Sequence, residues 1–308
     1  MLLKPEQSTV ARRVACRGIG LHRGDEVEIA LCPAEPGSGI VFVVHPEPNV
    51  APVEIPARAN SVLSSSRATI LTDGQGTTVS TVEHLLATLY VLGLDNVRIE
   101  VHGTEIPMMD GSALPFVGWA RSAGRVAQSQ PRMVYDVVRP IEFKDGERSI
   151  RVEPHPVLCI SYGIDFDHPS IGRQSLELSS IAEDCFEREI AGARTFGFEH
   201  EIDSLRAAGL AIGGSFENAL VLSDDGVLNA SGLRWPDEFV RHKVIDLLGD
   251  LCLLGAPLNG HVQVERGGHS LHHRLVHGLL GEVGLLEPVP KHDEIQPSIE
   301  AGRLQSLA

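Results

Sequence analysis

Nowhere do about 18 apolar residues follow one another, so nothing in the chain reads as a span across a bilayer. The opening Met-Leu-Leu-Lys-Pro-Glu lacks the basic start and apolar run of a secretory signal, which makes the cytoplasm the expected location. Cysteine is scarce and unpaired. Cys16, Cys32, Cys159, Cys185 and Cys252 are odd in number and far apart, which excludes a disulfide framework or a structural zinc knuckle and leaves buried small hydrophobes as the expectation. Basic residues are in deficit, 26 Lys plus Arg against 41 Asp plus Glu, a formal charge of −15. Such a surface repels phosphate backbones and excludes a broad nucleic-acid face, though a pocket with a few basic groups can still take a small anion. There is no Walker A sequence and no GxSxG elbow, and GIGLHRG lacks the GxGxxG spacing.

What remains is an ordinary globular composition of 308 residues, 43% hydrophobic and 22% charged, enough for two domains with their own cores. One count is unusual: fourteen histidines, several of them clustered. Alternation and β-branching predict strands at residues 26–32, 40–44, 66–71 and 96–101, then near 134–143, 149–152, 158–164 and 260–265. Helices are expected at 81–92, ending at Gly93, at 115–123, at 236–254, ending at Gly255, and at 270–280, with helical character at 187–191. Ser80 and Glu83 have capping-box spacing at the start of the first helix. The polar, Pro-containing stretch 125–131 reads as a linker, dividing an N-terminal domain at 1–128 from a C-terminal one at 129–308.

One internal echo crosses that division. HLLATLYVLG at 84–93 matches DLLGDLCLLG at 246–255 in its leucines and final glycine, and an alternating strand follows each. The echo points to a duplicated α+β unit, although any Leu-rich helix closed by glycine has this look. Aligned this way, His84 and Asp246 are equivalent positions.

In DEFVRHKVIDLLGD, His242 and Asp246 are four residues apart and share a helix face, and Glu238 and Asp250 extend the polar stripe. The helix is apolar over most of its girth, so the stripe is expected to be half buried, where imidazole and carboxylate need partners. A catalytic zinc takes three nitrogen or oxygen ligands and keeps a position open, and a neighbouring carboxylate handles the proton. His84, His242 and Asp246 could supply the ligands and Glu83 the base; Glu83 could equally be the capping residue. The run RGGHSLHHRLVH, with His269, His272, His273 and His277, offers competing i, i+4 metal pairs or a solvated helix face. The glycines of IGGSF suit a turn or a ligand-facing loop.

GIGLHRG, STVEHLLATL, EIPMMDGSALPF, ARTFGF, GLAIGGSFENALVL, DEFVRHKVIDLLGD and RGGHSL occur in that order over nearly the whole chain. Together they resemble the UDP-3-O-acyl-N-acetylglucosamine deacetylases, zinc amidases that commit bacteria to lipid A and hence lipopolysaccharide synthesis. The resemblance implies an α+β fold of two similar domains from an internal duplication, packed as a β-α-α-β sandwich, each with a small insert. It implies His84, His242 and Asp246 as ligands of Zn2+ (or Fe2+) and Glu83 as base. His269 would be the cation that stabilises the oxyanion and protonates the leaving amine, with Asp250 orienting it. Thr195 would give its hydroxyl to the oxyanion, Phe196 would line the site, and Lys243 would lie near the sugar and phosphates. An insert near 196–222 would form an acyl passage walled by Ile202, Leu210, Ile212 and Phe216. Phe166 would pack on uracil, and Arg148 and Arg266 stand where relatives often carry lysine near the diphosphate. LHHRL departs from relatives that often carry asparagines there. The segment 291–308 is expected to be a flexible tail and a handle for a regulatory protease. Two other readings share the ligands: another zinc amidohydrolase, and a non-catalytic nucleotide-sugar binding module stapled by metal.

Overall fold

The computed structural model describes residues 5–46, 50–65, 67–282 and 284–290; the tail and protease readings, on 291–308, fall outside them. The first half runs β1 (Glu6–Val10), β2 (Val14–Ile19), β3 (Glu26–Pro33), β4 (Ile40–His45), β5 (Val53–Pro56), β6 (Val62–Ser64), β7 (Ile70–Thr72), β8 (Thr78–Ser80), α1 (Glu83–Val91), β9 (Val97–His102) and α2 (Leu114–Ser122). Alternation decides which strands build the core sheet: Val97, Ile99 and Val101 of β9 are fully buried while Arg98 and Glu100 are not. The sheet order is β2-β3-β9-β4-β5, with β9 and β4 parallel and the other pairs antiparallel. Strands β6, β7 and β8 form a separate small sheet.

The second half continues with β10 (Arg125–Pro131), β11 (Met133–Val137), β12 (Ile141–Asp145), β13 (Arg148–Glu153), β14 (Leu158–Phe166), β15 (Gly172–Leu178), α3 (Glu183–Cys185) with a π-helical turn over Phe186–Ile190, β16 (Phe196–Phe198), α4 (Glu199–Ala207), β17 (Leu220–Leu222), α5 (Glu238–Cys252), β18 (Leu258–Glu265), α6 (His269–Gly281) and β19 (Leu286–Pro290). Its main sheet contains the path β12-β13-β18-β14-β15, with β18 and β14 parallel and the other pairs antiparallel. This is the order of the first sheet repeated, with β11 added beside β18 and β19 beside β11. The inward residues of both sheets share one hydrophobic core with α1 and α5, which pack on each other. The protein is thus an α+β sandwich with α1 and α5 in its core.

Five readings need correction. The strand expected near 134–143 is two, β11 and β12, and the one expected at 66–71 is the three-residue β7. The expected linker is β10, paired antiparallel with β1. Of the cysteines only Cys159 and Cys252 are buried; Cys16, Cys32 and Cys185 are half-buried. The polar stripe of the long helix is not half but fully buried, because α5 is covered on all sides and Glu238 and Asp250 are 0% exposed.

The close approach of α1 to α5 depends on Gly249. A Cβ there would stand 2.2 Å from the Glu83 carbonyl oxygen, inside contact distance with backbone that cannot swing away. Overpacking of this kind costs about 1–3 kcal/mol. Gly249→Ala is therefore expected to lower the urea midpoint with an unchanged m-value, since it pushes α1 away from α5. An unchanged midpoint would show that the helices can part at no cost.

Candidate metal centre

The chain enters α1 through a tight turn. Thr81 has φ of 60°, a left-handed conformation that a β-branched residue adopts only under constraint. Its hydroxyl is held 3.2 Å from Glu105 Oε1, and the buried Glu105 also accepts the backbone N–H groups of His22 and Arg23. The N-cap is consequently Val82, with no side-chain capping bond. The capping box does not form, and the Glu83 carboxylate points elsewhere.

It points into a buried cluster with His84. The ligand-capable atoms of His84, His242 and Asp246 all lie within 4.8 Å of one another. His84 Nε2 is 3.8 Å and His242 Nε2 3.4 Å from Asp246 Oδ1, and the two imidazoles stand at 90°. Tetrahedral bonds of about 2.0–2.1 Å place ligand atoms about 3.3 Å apart, so a divalent metal fits with little movement. His242 Nδ1 is 3.0 Å from the Ala193 carbonyl, which fixes the ring and turns Nε2 inward. The protonation states also suit a metal. Burial, then the neighbouring His242, pushes His84 down to about 3, and burial lowers His242. Asp246 is held below the usual carboxylate range: burial opposes its charge, but Lys243 at 2.9 Å and the imidazoles outweigh it. Two neutral imidazoles and one carboxylate are the chemistry of a divalent-metal ligand set.

The wall beside this trio holds two further ionisable groups. Burial pushes Glu83 up to about 7. Its Oε1 lies 3.9 Å from His269 Nε2. His269 begins α6, so burial and the helix N-terminus both disfavour its charge. Asp250, 2.7 Å from His269 Nδ1, overrides burial and pushes it up to about 10. Asp250 is itself kept well below its usual range: burial opposes the charge, and His269 and His273 outweigh burial.

The histidine run therefore forms neither a solvated face nor a metal site of i, i+4 pairs. His269, His272 and His273 are all buried, and only His277 of that run is exposed. His272 Nδ1 approaches Asp250 Oδ2 at 2.8 Å, the same oxygen that His269 takes at 2.7 Å. With Asp250, His269 and His272 form a second group whose ligand-capable atoms lie within 4.8 Å, but their separations from this single oxygen are those of hydrogen bonds, shorter than the spacing of ligands around a shared metal.

The remaining expected residues have the following surroundings. Lys243 stands 5.5 Å over the Phe196 ring as well as against Asp246, and Phe196 packs edge-on to Phe166 at 5.7 Å. Thr195 is half-buried; its backbone bonds Gly111 and Leu220, and its hydroxyl has no protein partner among the described residues. Arg266 pairs with Asp165 and Glu147, and Arg148 donates 3.1 Å to the Arg266 carbonyl while facing Asp145 at 3.6 Å. In the insert, Ile202 and Leu210 are half-buried, whereas Ile212 and Phe216 are each 54% exposed. IGGSF is a turn docked on another loop: Ile212 N–H bonds the His22 carbonyl and Gly213 N–H that of Leu21. The sequence reading missed Thr69, Tyr162 and the inward role of His272 and His273. A signal for the last existed, because His269, His272, His273 and Val276 follow the i, i+3, i+4, i+7 period of a buried face.

Comparison with known proteins adds a family. Residues 7–281 match the model of the family described as LpxC, UDP-3-O-acyl N-acetylglycosamine deacetylase. A protein of Oleidesulfovibrio alaskensis named UDP-3-O-acyl-N-acetylglucosamine deacetylase is 43% identical over 289 residues, 94% of this chain and 90% of the relative. Proteins of the same name from Nitratidesulfovibrio vulgaris, 46% identical over 265 residues (86% and 84% covered), and Wolinella succinogenes, 42% over 291 (94% and 96%), are also similar.

Proposed function

The chain belongs to the UDP-3-O-acyl N-acetylglycosamine deacetylase family, and from that premise we propose how its residues divide the reaction. The activity is zinc-dependent hydrolysis of the 2-acetamido group of UDP-3-O-acyl-N-acetylglucosamine, which releases acetate in lipid A synthesis. One observation carries the reading: three buried residues able to ligate a metal stand beside a carboxylate that is not one of them, with the His269 imidazole 3.9 Å from that carboxylate.

His84, His242 and Asp246 hold the metal, with zinc as its identity; the same set accepts ferrous iron. When bound, it supplies Lewis acidity toward water and toward the amide carbonyl. Glu83 takes the proton of the attacking water as its oxygen adds to the carbonyl carbon. The oxyanion that forms meets the His269 cation and the Thr195 hydroxyl. His269, or Glu83 once protonated, gives a proton to the departing amine as the C–N bond breaks, leaving acetate and the free 2-amine. Asp250 keeps His269 charged and oriented. Lys243, Arg148 and Arg266 face the sugar and diphosphate, Phe166 stacks on uracil, and Phe196 lines the cleft.

A duplicated unit, divided near residues 128 and 129, builds this site from both halves. The identical strand order in the two sheets, and the equivalence of His84 with Asp246 in the helix echo, support that reading. Each copy carries an insert, β6-β7-β8 in the first and β16-α4-β17 in the second. Ile202, Leu210, Ile212 and Phe216 of the second insert wall the acyl passage.

The test compares acetate release from the acylated substrate and from its analogue with a free 3-hydroxyl. Burial at about 0.8 kcal/mol per methylene predicts a loss of about 100-fold or more in kcat/KM without the chain. Equal kcat/KM would identify a general sugar acetamidase instead.

A further inference from the structure

Thr69 belongs to none of the motifs above. It precedes β7, is 0% exposed, and reaches from the first half of the chain into the second. Its backbone N–H donates to Glu83 Oε2 at 3.2 Å, and its hydroxyl lies 2.7 Å from Asp250 Oδ1. The Thr69 hydroxyl oxygen is also 3.1 Å from His273 Nε2 and 3.4 Å from His269 Nδ1.

The direction of these bonds follows from valence. An ionised carboxylate only accepts, so the single hydroxyl hydrogen goes to Asp250. That leaves the Thr69 oxygen as an acceptor toward His273 Nε2, whose other ring nitrogen, Nδ1, is buried and without a partner among the described residues. Asp250 Oδ1 is taken by Thr69, with His273 Nε2 also at 3.2 Å, which leaves Oδ2 to His269 and His272. His272 is steadied in turn by the Tyr162 hydroxyl, 3.0 Å from its Nε2.

We propose that Thr69 is the positioning residue common to both proton carriers of the reaction. Its N–H pins one oxygen of Glu83 and leaves the other toward His269. Its hydroxyl fixes the plane of Asp250, and through it the direction of His269 Nε2. One residue thus sets the two groups that face each other across the acetamide. The inference rests on the assignment of Glu83 and His269 as proton carriers.

The experiment measures acetate release and metal content for the zinc holoenzyme and for Thr69→Val and Thr69→Ser. Valine keeps the shape and the backbone N–H and removes only the hydroxyl; serine restores it. Loss of an orienting partner typically costs about 10–100-fold, so kcat of the valine variant falls by that factor, with KM within about twofold and metal content unchanged. Serine regains kcat to within about threefold of wild type. If valine does not fold, Thr69→Ala, which makes no demand on space, carries the same expectation. A hydroxyl-free variant with kcat within about threefold of wild type, a loss that serine does not recover, or a change confined to KM overturns the inference alone. A wild-type holoenzyme that releases no acetate overturns the functional reading and this inference with it.

Discussion

Replacing Glu83 by glutamine lowers kcat by about 10²–10⁴-fold while the protein keeps its full metal content. The variant separates two roles that share one residue type at one position. A capping glutamate at the head of α1 would contribute to stability and nothing to turnover. The cap is Val82, however, with no side-chain bond, and the carboxylate lies between the Thr69 N–H and His269. Glutamine can still accept the Thr69 N–H but cannot take a proton from water. Stability is therefore expected to hold while chemistry fails. The wild-type pH profile supplies a second reading of the same pair. Glu83, raised to about 7, must be ionised, so the rate falls as pH drops through that value; His269, raised to about 10, must be protonated, so the rate falls as pH rises through its own. A dication beside them shifts both limbs to lower pH. A wild-type profile without limbs, or a glutamine variant at wild-type kcat, would remove Glu83 from the chemistry.

His242→Ala is the second large effect. Orienting partners of metal ligands are worth about 10–100-fold in affinity, and loss of a ligand itself exceeds that range. Zinc affinity and acetate release are expected to fall together by more than about 100-fold. The helix survives, because Phe239, Val244, Leu247, Leu248 and Leu251 are each 0% exposed and hold α5 in the core without the imidazole. Circular dichroism of the metal-free variant should match that of the metal-free wild type. Full zinc occupancy in the alanine variant would move the metal to other ligands.

Helices were more legible in the sequence than edges. The leucine periods of α1 and α5 and their closing glycines gave both helices within a few residues, and the echo between them led to His84 beside His242 and Asp246. Strand β10 was hidden because its ribbon with β1 leaves nearly every β10 side chain exposed, so no inside–outside alternation is written into it. The capping box was misread because its sequence pattern is satisfied, while Glu105, far along the chain, captures Thr81 and turns the backbone before the cap can form. Thr69 and Asp250 show the limit of spacing arguments. They are 181 residues apart, and only the packing of one half on the other brings them to 2.7 Å. His272 and His273 carried a readable buried period, but what they face is a carboxylate on another helix, which no local pattern records.

The most direct measurement is a zinc titration of the metal-free protein with UDP-3-O-acyl-N-acetylglucosamine as substrate, following acetate. Release that rises with added zinc to one equivalent, and is absent with His242→Ala, is the predicted result. Release that is independent of zinc, or a folded, zinc-loaded wild type that binds the substrate and frees no acetate, would contradict the account.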